Sequence, residues 1–310
     1  MKKKKVVIIC GGGSTEHDIS ILSAKYIAEQ LASDKELIVS SKEIKKNDMI
    51  PGHLSQFDFV IPCLHGYPGE TGDFASLLEM MEIPFLGAKS EAHRLCFNKV
   101  STKLWLDALE IPNTPFLFMS KKEELNLADK ALEQWGEVYI KASSQGSSIG
   151  CSPARNKTEL YDRITDAFTH SPYVLLEQKI TGRELEVACY AYDNDLIFTT
   201  PGEIVPPDSF YSYEEKYSKN SQTTLHTQAK DLSAKVQKEI KKHAQKAFVS
   251  LKLRHLARVD FFVDDKEKVF LNEINTFPGM TAISLFPRML QNQGHSFSHF
   301  LSSIIKKGEK

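Results

Sequence analysis

Residues 258–281 carry the side chains whose types and spacing most clearly indicate chemistry. Two largely apolar runs flank the polar turn Asp-Asp-Lys-Glu, which predicts a β-hairpin in which residues two apart share a face. Pairing of Val263 with Lys268 would put one cation and three oxygen ligands on one face: Arg258, Asp260, Glu273 and Asn275. Oxygen ligands without Cys or His suit a hard ion such as Mg²⁺, whose coordination is often completed by substrate phosphates. The segment therefore predicts an Mg-ATP site.

The alternative for this segment is a surface hairpin whose alternate positions are simply polar. The opposite face argues against that alternative, because it offers five apolar residues for burial: Val259, Phe261, Val263, Phe270 and Ile274. The loop that leaves the hairpin contains Gly279, which lets backbone approach a ligand closely. The hairpin is therefore interpreted as one wall of a binding site.

A glycine-rich turn follows the first predicted strand, residues 6–10. It reads Gly-Gly-Gly-Ser-Thr-Glu-His-Asp over residues 11–18 and opens a predicted helix. A dinucleotide fingerprint would need glycine where Glu16 stands, and a carboxylate there would repel a pyrophosphate, so an NAD-dependent dehydrogenase is disfavoured. Glu16 is a candidate partner for a substrate ammonium group. The alternative is that Glu16 and Asp18 cap the helix.

Lys141 ends another predicted strand and precedes a loop of small residues, 143–150. An unpaired ammonium among apolar residues would be costly, so Lys141 is expected to face an anion. Backbone N–H groups and hydroxyls of the loop could bind phosphate oxygens. The alternative is an ordinary surface loop, because no Walker sequence Gly-Lys-Ser/Thr follows.

Residues 206–227 form a predicted long loop, which contains Phe-Tyr-Ser-Tyr-Glu-Glu-Lys-Tyr at 210–217. Four aromatic side chains and one lysine could make a lid that excludes water and places Lys216 on a substrate carboxylate. An interface patch is the alternative.

Length and composition limit the class of protein. The chain has 310 residues, which suggests two or three domains, and a formal net charge of -1, which gives no basic field for nucleic acid. The apolar run after the first lysines is too short for a secretory signal, and no run approaches the ~20 residues of a membrane span. Five scattered cysteines, with no Cys-x-x-Cys pair, predict reduced thiols in the cytoplasm.

The order of predicted strands and helices indicates an α/β segment followed by α+β segments. Strands and helices alternate over residues 1–95, which predicts an N-terminal domain with a parallel sheet. Residues 96–180 are predicted to form a central α+β domain. Residues 181–310 are predicted to form a C-terminal domain that includes the lid loop 206–227 and the hairpin.

Together these motifs resemble those of the D-alanine:D-alanine ligases, members of the ATP-grasp superfamily, over nearly the whole chain. They occur in the family's order: Gly-Gly-x-Ser-x-Glu, Leu-His-Gly, Asn-Lys, Lys-x-x-x-x-Gly-Ser-Ser-x-Gly, Phe-Tyr-x-Tyr-x-x-Lys-Tyr, Arg-x-Asp and Asn-Glu-x-Asn-Thr-x-Pro-Gly-Met-Thr. Each motif alone is weak, but the ordered set is highly specific. The resemblance implies an ATP-grasp architecture, in which an N-terminal parallel-sheet domain is followed by two α+β domains that sandwich ATP.

The resemblance also implies a role for each matching residue. Catalytic roles fall to Glu16, Ser147, Tyr217, Arg258 and Gly279. Substrate contacts fall to His65, Tyr211, Lys216 and Ser284. ATP would be held by Lys99, Lys141, Ser148, Glu184 and, at the adenine amine, Glu177. Two Mg²⁺ ions, for which Mn²⁺ could substitute, would be held by Asp260, Glu273 and Asn275.

The implied reaction joins two D-alanines through D-alanyl phosphate, for peptidoglycan precursors in the cytoplasm. Small-molecule substrates and a homodimer are expected, with no nucleic acid and no membrane. Tyr217 favours D-alanine as the second substrate, because phenylalanine at that position accompanies D-lactate in the family. A D-alanyl-D-serine or D-alanyl-D-lactate ligase is the alternative. A non-catalytic Mg-ATP-binding regulator is a second alternative, since Gln145 and Gln178 stand where the family usually has Glu and Lys.

Overall fold

The structure is a computed structural model that describes residues 3–45, 53–206 and 222–308. The N-terminal part contains the predicted parallel sheet, in the order β2-β1-β3. Its strands are β1 (Lys4–Gly11), β2 (Leu37–Ile44) and β3 (Phe59–Pro62). Two of its helices are α1 (His17–Leu31) and α2 (Asp73–Met80).

Alternation along β1 explains how these helices cover the sheet. Val6 and Ile8 share one buried cluster with residues of α1, whereas Val7 and Ile9 share another with residues of α2. Successive side chains of a strand point to opposite faces, so the two helices lie on opposite faces of the sheet. The apolar and buried run from Val6 to Cys10 within β1 is what a sheet covered on both faces requires.

The middle of the chain forms a four-stranded antiparallel sheet in the order β4-β7-β5-β6. Its strands are β4 (Phe116–Met119), β5 (Val138–Ala142), β6 (Cys151–Ala154) and β7 (Val174–Gln178). Helices α5 (Leu125–Trp135) and α6 (Lys157–His170) share one buried cluster with Val138, Ile140 and Ala142. Tyr139 and Lys141 therefore fall on the other face of β5.

The C-terminal half contains a sheet of six described strands, in the order β11-β10-β8-β12-β13, with β9 also paired to β8. The strands are β8 (Gly182–Tyr192), β9 (Asp195–Phe198), β10 (Gly202–Val205), β11 (Thr224–His226), β12 (Leu256–Asp264) and β13 (Val269–Asn275). Helix α7 (Ala234–Ser250) shares a buried cluster with β8, β12 and β13.

Strands β12 and β13 form the predicted hairpin, but the predicted register is wrong. Val263 pairs with Val269 rather than Lys268, and a β-bulge shifts the register between Asp260 and Phe261. The partner of Asp260 is Glu273 and that of Phe261 is Leu271, so the bulge adds the intervening Asn272 to β13. Arg258 pairs with Asn275, and Asp260 pairs with Glu273, so the four predicted polar residues are neighbours.

The bulge also corrects the predicted apolar face of the hairpin. Val269, Leu271 and Ile274 join the buried cluster of β12, whereas Phe270, predicted for that face, pairs with Phe262 instead. One extra residue in one strand reverses which alternate positions face the core on the turn side of the bulge.

Four further helices complete the described chain. They are α3 (Ser90–Phe97), α4 (Lys99–Ala108), α8 (Leu285–Asn292) and α9 (Phe297–Lys307). Residues of α8 and α9 share a buried cluster with β1, β3 and α1. The C-terminal helices thus pack against the N-terminal sheet, while the predicted domain boundaries near residues 95 and 180 stay predictions.

Two other sequence-based expectations can be compared with the described residues. All five cysteines are free thiols, as predicted. Among the described helices, none is both long and apolar enough to span a membrane.

Phe300 of α9 is expected to contribute strongly to stability, because it is 0% exposed and its ring lies 5.8 Å from that of Tyr190. Substitution Phe300→Ala should lower the free energy of unfolding by about 3–5 kcal/mol, through lost burial and a residual cavity. Met80 is 84% exposed, so the matched control Met80→Ala should change the free energy of unfolding by less than ~0.5 kcal/mol. Urea denaturation measures both, and equal effects would contradict the packing described.

His255 is expected to make stability depend on pH. Burial first, with Arg254 and Lys307 adding, lowers its pKa from 6.5 to about 3, and its Nδ1 accepts the N–H of Gly87 at 3.1 Å. The unfolded chain takes up this proton at a higher pH than the folded chain, so stability should be lost as the pH falls below about 6.5.

The variant His255→Asn keeps an acceptor and tolerates the left-handed backbone at this position, where φ is 61°. It should reduce the stability loss between about pH 6.5 and 4.5 by about 2 kcal/mol. Met80→Ala, at an 84% exposed side chain that carries no titratable group, is the control and should leave the pH dependence as in the wild type. The free energy of unfolding is measured by urea denaturation at several pH values. If it changes with pH in His255→Asn as it does in the wild type, His255 is not the source of the pH dependence.

Candidate active site

A cavity of about 830 Å³ is lined by the four-stranded sheet, the six-stranded sheet and the loops that follow β1 and β3. All fourteen predicted site residues that the structure describes line it: Glu16, His65, Lys99, Lys141, Ser147, Ser148, Glu177, Glu184, Arg258, Asp260, Glu273, Asn275, Gly279 and Ser284. The remaining three, Tyr211, Lys216 and Tyr217, lie outside the described residues, as does most of the predicted lid. The cavity therefore brings together segments that are far apart in the sequence.

The loop between β5 and β6 presents backbone to this cavity. Ser147 and Ser148 adopt left-handed conformations, with φ of 52° and 61°, which are unusual for residues other than glycine. Strained backbone of this kind persists where the surroundings impose it, often at ligand sites. A β-carbon added at Gly146 would lie 3.1 Å from Oε2 of Glu16, so glycine lets the loop approach that carboxylate closely.

Lys99 is positioned by the start of α4. Asn98 is the N-cap: its Oδ1 accepts from the N–H of Ser101 at 3.1 Å and from the hydroxyl of Ser143 at 2.7 Å. The cap thus ties α4 to the start of the loop between β5 and β6. The Nζ of Lys99 donates to the carbonyl of Gln145 at 2.6 Å and lies 3.6 Å from Oε2 of Glu273.

Lys141 extends from β5 into the cavity, as its predicted role requires. Its Nζ lies 2.5 Å from Oε2 of Glu177 and donates to Oδ1 of Asn272 at 3.1 Å. Burial lowers the pKa of Lys141, but attraction to Glu177 outweighs burial and the net shift is upward. The carboxylate of Glu177 is thus already engaged by a lysine, and its contact with an adenine amine stays a prediction.

Arg258 is held by carboxylates on β12 and β8. Its Nε and one terminal nitrogen each lie 2.8 Å from an oxygen of Asp260, and Nε lies 3.1 Å from Oε1 of Glu186. The side-chain amide of Asn275 donates to Asp260 at 2.9 Å. Burial opposes the charge, but Asp260 and Glu186 together keep the pKa of Arg258 raised. The guanidinium therefore remains a fixed cation at the cavity wall.

Asp260, Glu273 and Asn275 form a plausible donor set for Mg²⁺. Asp260 and Glu273 are directly paired across the hairpin, and Asn275 contacts Asp260. Two carboxylates and an amide oxygen are hard ligands, which suit Mg²⁺ better than a transition metal. The residues present therefore fit the metal that the sequence predicts.

The loops after β1 and β3 place acidic and basic groups together. Glu16 occupies the N-cap position of α1 but makes no side-chain capping hydrogen bond, which disfavours the helix-cap alternative for this residue. His65 is buried, its Nε2 lies 3.3 Å from the hydroxyl of Ser23, and burial foremost lowers its pKa. Glu70 accepts the N–H of Gly66 at 2.8 Å, and burial, followed by repulsion from Glu16, raises its pKa to about 8.

The loop after β13 is fixed by short-range contacts. The hydroxyls of Thr281 and Ser284 lie 2.8 Å apart, and the N–H of Thr281 donates to Ser284 at 3.1 Å. A β-carbon at Gly279 would lie 2.9 Å from Oγ of Ser284, so this close packing requires glycine. The N–H of Met280 donates to Ser23 at 3.2 Å and anchors the loop to α1.

Sequence reasoning missed several charged or polar residues in or beside the cavity, among them Glu70, Lys103, Glu186 and Asn272. Glu186 lies two residues after Glu184 on β8. Residues two apart in a strand share a face, so the predicted role of Glu184 could have indicated Glu186 as well. Asn272 depends on the bulge, for which the sequence pattern gives no signal. The signal for Lys103 is its place on the buried face of α4, with Val100 and Leu106 three residues before and after it.

Comparison with known proteins identifies the family of this chain. The family model described as D-ala D-ala ligase C-terminus matches residues 105–306. The chain is 47% identical to a D-alanine–D-alanine ligase of Aeromonas salmonicida, over 99% of both chains. It is also 46% identical to a D-alanine–D-alanine ligase of Aeromonas hydrophila, over 99% of both chains.

Solved structures show the same relationship in three dimensions. D-alanyl-alanine synthetase A of Vibrio cholerae superposes with a TM-score of 0.93 at 42% identity, over 99% of both chains. The VanG D-Ala:D-Ser ligase of Enterococcus faecalis superposes with a TM-score of 0.85 at 26% identity, over 98% of this chain and 99% of that one. These similarities confirm the predicted ATP-grasp architecture. The chain belongs to the D-alanine–D-alanine ligase family.

Proposed function

We propose that this protein joins two D-alanines to D-alanyl-D-alanine and converts ATP to ADP and phosphate. Family membership supports the reaction class. The observation that carries the proposal is a single cavity lined both by three cations, which are proposed to face phosphates, and by a hard-metal donor set. The cations are Lys99, Lys141 and Arg258, and the donor set lies on the neighbouring hairpin.

The first step forms a bond between the carboxylate of one D-alanine and the γ-phosphorus of ATP, while the bond to ADP breaks. Two anions must approach each other, so cations are needed to offset their repulsion and the charge of the transition state. Lys99 and Lys141 are proposed to hold the phosphates and Glu184 the ribose. Glu16 is proposed to hold the ammonium group of this D-alanine, with His65 nearby.

Asp260, Glu273 and Asn275 are proposed to hold two Mg²⁺ ions, for which Mn²⁺ could substitute. When bound, such ions would neutralise phosphate charge and act as Lewis acids on phosphoryl oxygens. The protein's own part is to keep these three side chains adjacent on one hairpin, with Arg258 against Asp260.

The second step forms the peptide bond. The amine of the second D-alanine attacks the carbonyl carbon of D-alanyl phosphate and releases a proton, and phosphate leaves with the electrons of its C–O bond. Arg258 and the N–H of Gly279 are proposed to stabilise the oxyanion that forms between these events. Ser284 and Lys216 are proposed to bind the carboxylate of the second D-alanine.

Water would destroy the acyl phosphate, so the reaction needs a closed site. Residues 206–227, with Tyr211, Lys216 and Tyr217, are proposed to form the lid. Ser147 and Tyr217 would link Glu16 to this lid by hydrogen bonds. We further propose that the protein works in the cytoplasm on small molecules for peptidoglycan synthesis, and that it forms a homodimer.

The second substrate is proposed to be D-alanine. Tyr217 favours it, and the chain is 47% identical to the D-alanine–D-alanine ligase of Aeromonas salmonicida, against 26% identity to the VanG D-Ala:D-Ser ligase. A D-alanyl-D-serine or D-alanyl-D-lactate ligase is therefore the weaker alternative. The regulator alternative is disfavoured because the cations and the metal donor set lie together in one cavity.

The first test is to incubate purified protein with Mg-ATP and D-alanine, alone or with D-serine or D-lactate, and to measure phosphate release and product mass. Phosphate release that depends on D-alanine, with D-alanyl-D-alanine as the main product, is expected. L-Alanine is the control and should release none. A main product containing D-serine or D-lactate would change the assigned acceptor, and ATP binding without phosphate release would favour the regulator.

Arg258→Ala should lower kcat by about 10²–10³-fold, because it removes a cation that meets the developing oxyanion. Binding of Mg-ATP should remain detectable by calorimetry. The control is Arg163→Ala, at an exposed arginine of α6, and it should keep wild-type turnover. Wild-type turnover in a folded Arg258→Ala protein would remove Arg258 from the mechanism.

A further inference from the structure

Lys103 carries a buried ammonium group close to the candidate site. The residue is 1% exposed, on α4, and its Nζ lies 2.5 Å from Oε1 of Glu177. The same Nζ donates to the carbonyl of Thr114 at 3.1 Å and to Oδ1 of Asn113 at 3.3 Å. Lysine is rarely buried unless it is paired, since an unpaired buried charge is very costly. The position of Lys103 therefore needs an explanation.

Lys103 is not among the described residues that line the cavity, so it acts there only through its neighbours. Glu177 lies between two lysines: Oε1 faces Lys103, and Oε2 faces Lys141, each at 2.5 Å. Glu177 is 1% exposed, and both Glu177 and Lys141 line the cavity. The three groups form a row of charges, Lys103, Glu177 and Lys141, that runs from the interior to the site.

The pKa shifts agree with a charged carboxylate in the middle of this row. Burial raises the pKa of Glu177, but Lys103 and then Lys141 outweigh burial, so the net shift is downward. Burial lowers the pKa of Lys103, and Glu177 offsets part of that effect. One negative and two positive charges leave the row with one net positive charge.

We propose that Lys103 is a positioning residue for the nucleotide: it neutralises Glu177, so that the charge of Lys141 remains available to the phosphates. Without Lys103, Glu177 and Lys141 would form a neutral pair beside the cavity. The inference rests on the proposed role of Lys141 in ATP binding and extends it to a residue that touches no substrate.

A purely structural role makes a different prediction. Lys103 also ties α4 to Thr114, just before β4, and its loss could simply loosen the packing there. In that case the Lys103 variant would lose stability and bind every nucleoside ligand less well. Removal of the charge on Glu177 would then give no recovery.

The test measures the Kd values of Mg-ATP and of adenosine by competition calorimetry in four proteins. They are the wild type, Lys103→Met, the double variant Lys103→Met with Glu177→Gln, and the control Lys157→Met. Lys157, on α6, forms a partly exposed ion pair with Asp129 on α5. The readout is the ratio of the adenosine Kd to the Mg-ATP Kd, which isolates the contribution of the phosphates.

Lys103→Met should lower this ratio about tenfold, a change of about 1.4 kcal/mol. The double variant removes both charges, leaves Lys141 with its net charge, and should restore the ratio to within about twofold of wild type. Lys157→Met should leave the ratio unchanged. An unchanged ratio in Lys103→Met, or an equal loss in the single and double variants, would overturn the inference.

The experiment remains decisive if a Lys103 variant does not fold, and also if the wild-type protein does not bind Mg-ATP. If Lys103→Met does not fold, Lys103→Gln takes its place, because it removes the same charge but leaves a polar side chain toward Glu177, and it should also lower the ratio about tenfold. An unchanged ratio in a folded Lys103→Gln protein would overturn the inference. If the wild-type protein binds no Mg-ATP, the proposed function fails, which is a different result from equal binding by wild type and Lys103→Met.

Discussion

The bidentate ion pair between Arg258 and Asp260 is the interaction around which the site is arranged. Both residues lie on β12, two positions apart, so they share a face. Glu186 on β8 and Asn275 on β13 contact this pair from the two neighbouring strands. An arginine fixed in this way has little freedom to lose when a ligand arrives, which is the usual condition for electrostatic catalysis.

The sheet can hold this pair because its other face is well packed. Val259 and Phe261 alternate with the site residues of β12 and join the cluster under α7. The same logic applies to β5, where Val138 and Ile140 are buried under α5 and α6 while Lys141 faces the cavity. In both sheets the apolar alternate positions supply the stability, and the polar ones supply the chemistry.

Local sequence signals pointed to residues that the structure brings together in one cavity, whereas two long-range features of the fold had no such signal. Glu16, Lys141 and Arg258 could be found because glycine-rich turns and polar residues inside apolar runs are local signals. The register of the hairpin could not be predicted, because the bulge at Asn272 leaves the composition of the strand unchanged. The packing of α8 and α9 on the N-terminal sheet was also beyond local patterns, since it joins residues about 250 positions apart.

Charges in the site are arranged so that each proposed phosphate-binding cation already has a carboxylate partner. Lys99 lies 3.6 Å from Glu273, Lys141 2.5 Å from Glu177, and Arg258 2.8 Å from Asp260. Glu273 and Asp260 are also proposed metal ligands, so binding of Mg-ATP would exchange one set of ion pairs for another. ATP without a metal would instead bring its phosphates toward the same carboxylates, and like charges would oppose its binding. Of these three carboxylates, only Glu177 lies outside the proposed metal set, and Glu177 has a second, buried lysine behind it. Lys103 thus supplies, at Lys141, the charge compensation that the metal ions would supply at Lys99 and Arg258.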